Sequence, residues 1–448
     1  MKRKMMVLLS AASLALLLAG NALAGWKEDQ AALFQQIPVK PGDRIDNSNW
    51  EKVKDLLPPS VVNYVKKGDF ILDIDEMKWE YGPDAEYKKT SAGNAGKYDV
   101  NEQGQLIDNA TGKQPVYVEG EPFPSIDWKN DPKAGQKLAY NQVLNFARVG
   151  NYWCDWHTYW VGRKAGLERT VSGRWYLNYF WNRPDGKTAN PAGTIFNEYV
   201  KVTQPYDVSG ILNLTYRYIN SDADDLWAYV PAIRRVKKTS GANRSSPFLG
   251  SDFVNDDAFA FAGKVESMNW KVIGEKTVLM PVMKWATEGP AKFRKHTDGS
   301  WRNPDNLAGP LFGFEVPGWK GAPWAPTDFV YVPRKMYIIE VNAKDRYYNY
   351  GLTHLYLDPE AGFIYKYVND RAGQYWKTLM VSYVPAAWAN KVTISTATGY
   401  VVIDDKTDHA SSQSIFGAHP KGKLENAYFD PGVKPTMFMP TSMGVQSK

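Results

Sequence analysis

Apolar and polar positions alternate most regularly between Ile211 and Ile219, where Leu212, Leu214, Tyr216 and Tyr218 interleave with Asn213, Thr215 and Arg217. A period of two is the repeat of a strand, because successive side chains leave opposite faces of the backbone. The same reading predicts strands at 175–181, 226–230, 271–273, 335–342, 354–357, 363–368, 378–383 and 400–403, with Asp358-Pro-Glu-Ala-Gly362 as a hairpin turn between two of them. Helical spacing is found earlier in the chain. Leu138, Ala139, Val143, Phe146 and Ala147 predict a helix from 134 to about 149, opened by the carboxylate and proline of Asp131-Pro132. Ser48-Asn49 caps a predicted helix from Trp50 that carries Val53, Leu56 and Leu57 until Pro58-Pro59 stops it. Ser60 opens a second short turn with Val61, Tyr64 and Val65, ended by Gly68.

Between these elements, 84–112 is polar and rich in Gly, Lys, Asn and Ala, the composition of a long loop. The stretch 287–326 is heavy in Gly, Pro and Trp and reads as an insertion or flap. Three regions follow: a leader at 1–24, a helical and irregular region at 25–120, and a strand-rich unit at 121–448. Strands at short spacing, with helices segregated toward the beginning, predict a mainly β, α+β fold: one large antiparallel sheet with helices against one face.

The leader changes the expected destination. Lys2, Arg3 and Lys4 precede an apolar run from Met6 to Leu18, and Ala22-Leu-Ala24 supplies small residues for cleavage. That order is a secretory signal peptide, too short for a comfortable membrane span. Leu18-Ala-Gly20 resembles the start of a lipoprotein signal, but Asn21 stands where the lipidated cysteine belongs, so a periplasmic protein without its own lipid is expected. No later segment reaches the ~18 apolar residues of a spanning helix.

Loss of the leader removes three basic residues and no acidic one, taking the net charge from +6 to +3. That balance is too mild for a nucleic-acid partner. With Cys154 as the one cysteine, no disulfide forms within the chain, and the residue reads as a buried small side chain rather than a nucleophile. Aromatic residues reach 14%, an excess that favours strands and surfaces that are apolar yet tolerate water.

Candidate chemistry concentrates between Asp225 and Asp257. Leu226-Trp-Ala-Tyr-Val230 leads through Pro231 into the basic residues Arg234, Arg235, Lys237 and Lys238, and then to Arg244 and the acidic Asp252, Asp256 and Asp257. The basic run suits either a solvated edge strand, where charge discourages aggregation, or a positive rim for an amphiphile with an acidic head group. The aspartates lack the alternating oxygen ligands and glycine of a calcium loop, and are expected to pair with Arg234, Arg235 or Arg244. The histidines form neither a His-x-x-x-His nor a His-Glu-x-x-His arrangement, and no nucleophile elbow, phosphate loop or dinucleotide fingerprint is present. Neither an enzyme nor a cofactor or metal is therefore expected. Aromatic runs such as Asp345-Arg-Tyr-Tyr-Asn-Tyr350 leave a glycan- or polymer-binding module as the alternative.

The segment from Leu226-Trp-Ala-Tyr-Val-Pro-Ala-Ile-Arg-Arg-Val-Lys-Lys to Phe248-Leu-Gly-Ser-Asp-Phe253 resembles a signature of outer-membrane lipoprotein-sorting proteins. Taken with Glu121-Pro-Phe-Pro124, Asn255-Asp-Asp257, Phe261-Ala-Gly263, Asn269-Trp-Lys-Val-Ile-Gly274, Leu355-Tyr-Leu-Asp358, Asp370-Arg-Ala-Gly373 and Trp376-Lys377, the chain more closely resembles a larger Gram-negative periplasmic family known as a domain of unknown function. The resemblance implies an incomplete antiparallel β-barrel with helices as a lid over an apolar cavity that holds acyl chains. It also implies a lipid or other amphiphile as cargo, with a resistance-nodulation-division exporter and an outer-membrane component as partners. On this reading Trp175, Tyr176, Tyr179, Trp181, Trp227 and Tyr229 line the cavity. The chain departs from the small lipoprotein carriers in being about twice their length, in lacking the lipobox cysteine and in carrying the long flap, so lipoproteins need not be its cargo.

Overall fold

The computed structural model describes residues 25–447 apart from 221–222, 240–243, 305–306, 390–391, 416, 419–423, 426 and 430–431; the predicted leader lies outside the described residues. Its long strands are β1 (Asn151–Gly162), β2 (Gly166–Tyr179), β3 (Thr194–Gln204), β4 (Leu212–Tyr218), β5 (Asp225–Val230), β6 (Arg235–Thr239), β7 (Met268–Met283), β8 (Phe329–Ala343), β9 (Thr353–Asp358), β10 (Gly362–Asn369), β11 (Tyr375–Trp388), β12 (Val392–Asp404) and β13 (His409–Ser414). They hydrogen-bond in the order β6-β5-β4-β3-β2-β1-β13-β12-β11-β10-β9-β8-β7, every pair antiparallel. Two meanders, β1–β6 and β7–β13, are thus sewn together where β13 lies beside β1. Among the described residues β6 and β7 do not pair with each other, so the sheet curls without closing into a barrel.

Register shifts bend it. They fall in β1–β2, β2–β3, β3–β4, β7–β8, β9–β10, β10–β11 and β11–β12, and each inserts a residue that increases local twist. Gly173, at the β2–β3 shift, is needed there: a Cβ would lie 2.2 Å from the Lys201 carbonyl oxygen and 2.3 Å from the Trp156 ring.

The longer helices are α1 (Trp26–Gln35), α2 (Pro59–Lys67), α3 (Ala85–Ala92) and α4 (Ala134–Ala147). Leu138, Ala139, Tyr140, Gln142, Leu144, Asn145, Phe146 and Ala147 of α4 are all buried, which is the pattern of a helix enclosed by structure on most sides. It packs against β7 and β12, with Gly135 so close to Trp270 that a Cβ would sit 2.8 Å from that side chain. Among the described residues no helix is long and apolar enough to cross a membrane.

Several local expectations are corrected. The helix predicted from Trp50 is one 3-10 turn, Trp50–Val53, while α2 is a full helix with proline in its first turn and Gly68 at φ 78° after its end. Asp131 does not cap α4, whose N-cap is Lys133. Its carboxylate instead accepts the Lys133 amide at 2.8 Å and pairs with Lys137 at 2.8 Å. The predicted loop at 84–112 holds α3, capped by Asp84 on the Tyr87 amide, and a hairpin of Tyr98–Val100 with Leu106–Asp108. The strand read at 271–273 extends over all of β7, because both faces of its second half are buried and the period of two disappears. Within 287–326, Phe293, Phe312 and Trp324 are buried in the main core, and Ala291–Lys292 pairs with β11.

Candidate ligand cavity

A cavity of about 310 Å³ opens on the inner face of β1–β5, bounded by α4 and by the chain between Arg244 and Ala262. Register decides which side chains reach it. Trp175, Val200, Asn213 and Ala228 are cross-strand partners in one row, and Leu177, Glu198, Thr215 and Leu226 form the next. Cys154 and Trp156 of β1, Tyr179 of β2, Phe196 of β3 and Arg217 of β4 complete the wall. From above, α4 contributes Gln142 and Phe146, and the covering loop contributes Phe248, Phe253, Phe259 and Phe261. Glu198, Val200, Asn213, Leu226 and Ala228 keep partial exposure, so the cavity reaches solvent toward the β4–β5 side.

Phe259 is the centre of the cover. Its ring lies 4.3 Å from Phe146 and 5.3 Å from Trp175, between centroids. Phe259 and Ala260 both have positive φ, 53° and 64°. Non-glycine residues resist that conformation by about 1–2 kcal/mol each, so neighbouring contacts must hold it. The paired carboxylates do so. Asp257 accepts the Val254 amide at 2.9 Å, the Tyr350 hydroxyl at 2.6 Å and Lys366 Nζ at 2.6 Å. Asp256 accepts from Arg244 Nε and from the Tyr348 hydroxyl at 3.0 Å. The tyrosine run at 345–350, which left glycan binding as the alternative reading, turns Tyr348 and Tyr350 inward as anchors, and Arg346 stacks over the exposed Tyr347.

Arg217 and Arg244 converge on Asp224, which is buried. Burial alone would raise the Asp224 carboxyl, but the two guanidiniums hold it below the ordinary carboxylate range. Burial opposes the charge of Arg244 as well, and Asp256 and Asp224 outweigh it, keeping that guanidinium firmly protonated.

The six aromatic residues predicted to line a cavity are not one set. Trp175 and Tyr179 face it. Tyr176 and Tyr229 point to the opposite face of the sheet, where they pack with Tyr199, Leu212, Phe438 and Met443 of the C-terminal segment. Trp227 borders the cavity by position, but its ring packs on Tyr216 at 5.0 Å, on that same outer face. Trp181 lies past the end of β2, buried, with its indole N–H donated to the Val116 carbonyl at 3.0 Å. The reason is the strand period itself: neighbours 175 and 176 cannot share a face. In β4 the polar row, Asn213, Thr215 and Arg217, looks into the cavity, while Leu212 and Leu214 meet the C-terminal segment.

The charged rim also divides. Arg244 joins Asp256 as expected, Asp257 is claimed by Lys366, and Asp252 accepts from His409 Nδ1 at 2.6 Å and Ser411 at 2.8 Å. Arg234 and Arg235 are exposed on β6 and its preceding turn, with no carboxylate partner among the described residues. Phe146, Phe259, Glu198, Arg217 and Asp224 were not among the site residues read from the sequence. The alternation Phe196-Asn-Glu198-Tyr-Val200 was the available signal for Glu198. A separate surface groove of about 410 Å³ is bounded by His157, Tyr159, Ser172, Gln204, Phe314, Glu315 and the 97% exposed Tyr206.

The model of the family described as protein of unknown function, DUF1329, matches residues 44–443. No curated protein matches the chain. Among solved structures, it is similar to a domain assigned to outer-membrane lipoprotein sorting from Vibrio parahaemolyticus, at 16% identity over 70% of this chain and 100% of that one, with a TM-score of 0.46. A DUF1329 family protein from Desulfovibrio piger gives 18% identity over 70% and 100% of the two chains, TM-score 0.45. A LolA superfamily protein from Nitrosomonas europaea gives 11% identity over 66% and 96%, TM-score 0.37.

Proposed function

We propose that this chain, which belongs to the DUF1329 family, is a non-enzymatic carrier that shelters the apolar part of an amphiphile in the cavity under Phe259. The observation that carries the reading is the lining. Trp175, Leu177, Tyr179, Val200, Phe146 and Phe259 offer a broad apolar surface, and each methylene hidden there gains about 0.8 kcal/mol. A cavity of about 310 Å³ is near the lower end of the ~300–1,000 Å³ usual for small-molecule sites. That size favours one acyl chain or a compact hydrophobe over the several chains of a lipoprotein.

Residues 1–24 support work in the periplasm, where an amphiphile in transit toward the outer membrane needs cover from water. A resistance-nodulation-division exporter is the partner proposed for loading, on the resemblance alone.

The test is extraction of the mature protein, purified without detergent, followed by mass spectrometry for bound lipid. Ala228→Trp, which fills the cavity from the β5 wall, should empty the protein of that lipid while leaving its circular dichroism unchanged. Equal lipid in both proteins would refute the site, and no lipid or probe binding in either would refute the carrier.

A second reading, glycan or polymer binding, is supported by the groove at Tyr206, where one exposed aromatic ring adjoins the polar groups of Gln204, Ser172 and Glu315. Binding to a glycan array that is abolished by Tyr206→Ala would favour it.

A further inference from the structure

At the end of the cavity formed by β3, β4 and the covering loop, Arg217 and Arg244 pair with Asp224 and Asp256, and Glu198 lines the same end. Both arginines are held by protein acceptors. Arg217 gives Nε and Nη2 to Asp224 and Nη1 to the Gly263 carbonyl at 3.0 Å. Arg244 gives Nε to Asp256 and Nη2 to the Ala262 carbonyl at 2.8 Å, and its Nη1 lies 3.4 Å from Asp224. Their charge is balanced by Asp224 and Asp256.

Glu198 is the remainder. Its Oε1 accepts the Trp175 indole N–H at 2.7 Å, and among the described residues no cation stands within ion-pairing distance of it. The carboxylate faces the cavity and keeps partial exposure. Gln142, buried on α4, also borders the cavity with its Oε1 unbonded. Glu198 therefore offers a ligand a charged acceptor, at an end where two guanidiniums and three carboxylates sum to one negative.

We infer, on the reading that the cavity holds an amphiphile, that its cargo carries a non-anionic, hydrogen-bond-donating polar end, a hydroxyl or an ammonium, placed against Glu198. A fatty acid or phosphate head would meet the Glu198 carboxylate where Arg217 and Arg244 are already neutralised by Asp224 and Asp256, and like charges in a poorly screened site oppose binding steeply. The exposed Arg234 and Arg235, which suggested an acidic head group, lie outside this cavity wall.

Dodecanol, dodecylammonium and dodecanoate share one chain and differ only at the head. In competition with N-phenyl-1-naphthylamine bound to the mature protein at neutral pH, the alcohol and the amine should displace the probe at concentrations at least about tenfold below dodecanoate. Glu198→Gln should narrow that gap by improving dodecanoate and weakening the amine, whereas Glu198→Asp, which keeps the charge, should preserve it. Dodecanoate binding as tightly as the other two, or a gap unchanged in Glu198→Gln, overturns the head-group assignment and leaves the carrier reading standing. Failure of the probe and of all three ligands to bind overturns both.

Discussion

The ring of Phe259 lies 4.3 Å from that of Phe146, so a residue in left-handed backbone closes the sheet's inner face against the buried helix α4. The contact ties the motif around Asp256 and Asp257 to the cavity: the carboxylates fix the loop, and the loop aims the phenyl ring.

Phe259→Ala should enlarge the cavity, raise affinity for bulkier probes and lower stability by about 2–3 kcal/mol, somewhat under the usual cost for a fully buried phenylalanine. Phe259→Gly loses the same ring but accepts φ 53° without the Cβ penalty. It should therefore be no less stable than Phe259→Ala in urea denaturation. An alanine variant clearly more stable than the glycine variant would show that the backbone there is not strained.

The two faces of β2 and β5 separate binding from stability. Trp175→Ala should abolish probe binding with modest loss of stability. Tyr229→Ala, on the outer face against Met443, should cost about 3 kcal/mol yet change probe affinity less than about threefold. A Tyr229 variant that folds normally and loses binding would place the site on the wrong face.

Asp224 sets part of the acid limit. Its pKa is depressed in the fold, burial being outweighed by Arg217 and Arg244, so its contribution is complete above the unfolded carboxylate value of about 3.9 and is lost as pH falls through the lower folded value. Asp224→Asn should flatten the melting temperature over that acid range. At neutral pH it should cost about 3–5 kcal/mol, because two buried guanidiniums lose a shared partner. A variant with the native acid profile would refute the assignment.

His409 acts at the other end of the scale. Its hydrogen bond to Asp252 raises the imidazole pKa against the opposing effect of burial, with Asp252, Glu168 and Asp404 adding charge attraction. A raised histidine stabilises the fold fully below its unfolded value of about 6.5 and loses that contribution as pH rises through the folded value. Native protein should therefore lose stability from near-neutral to mildly alkaline pH. Both Asp252→Asn and His409→Gln should remove that slope, and a nuclear magnetic resonance titration of His409 at or below its ordinary value would contradict the prediction.

Much of the fold was legible because its signals are local. The Leu212-to-Tyr218 alternation, the spacing of Leu138, Val143 and Phe146, and Gly68 after a short helix each report one backbone conformation. The hairpin at 98–108 was less so, since its strands are three residues each and leave no room for a period. The aspartates at 256 and 257 were visible as a motif, but not that adjacent carboxylates would serve different cations, Arg244 and Lys366, from distant parts of the chain.

By itself the sequence determined that the protein is a strand-rich chain of the DUF1329 family, because period-two alternation and family motifs are properties of neighbouring residues. Only the tertiary structure decided which face of each strand is the inside. Both faces of β2–β5 carry aromatics, one closed by Phe146 and Phe259 and the other by Phe438 and Met443. A strand's alternation records that its two faces differ; which of them meets a cavity depends on what packs there from elsewhere in the chain.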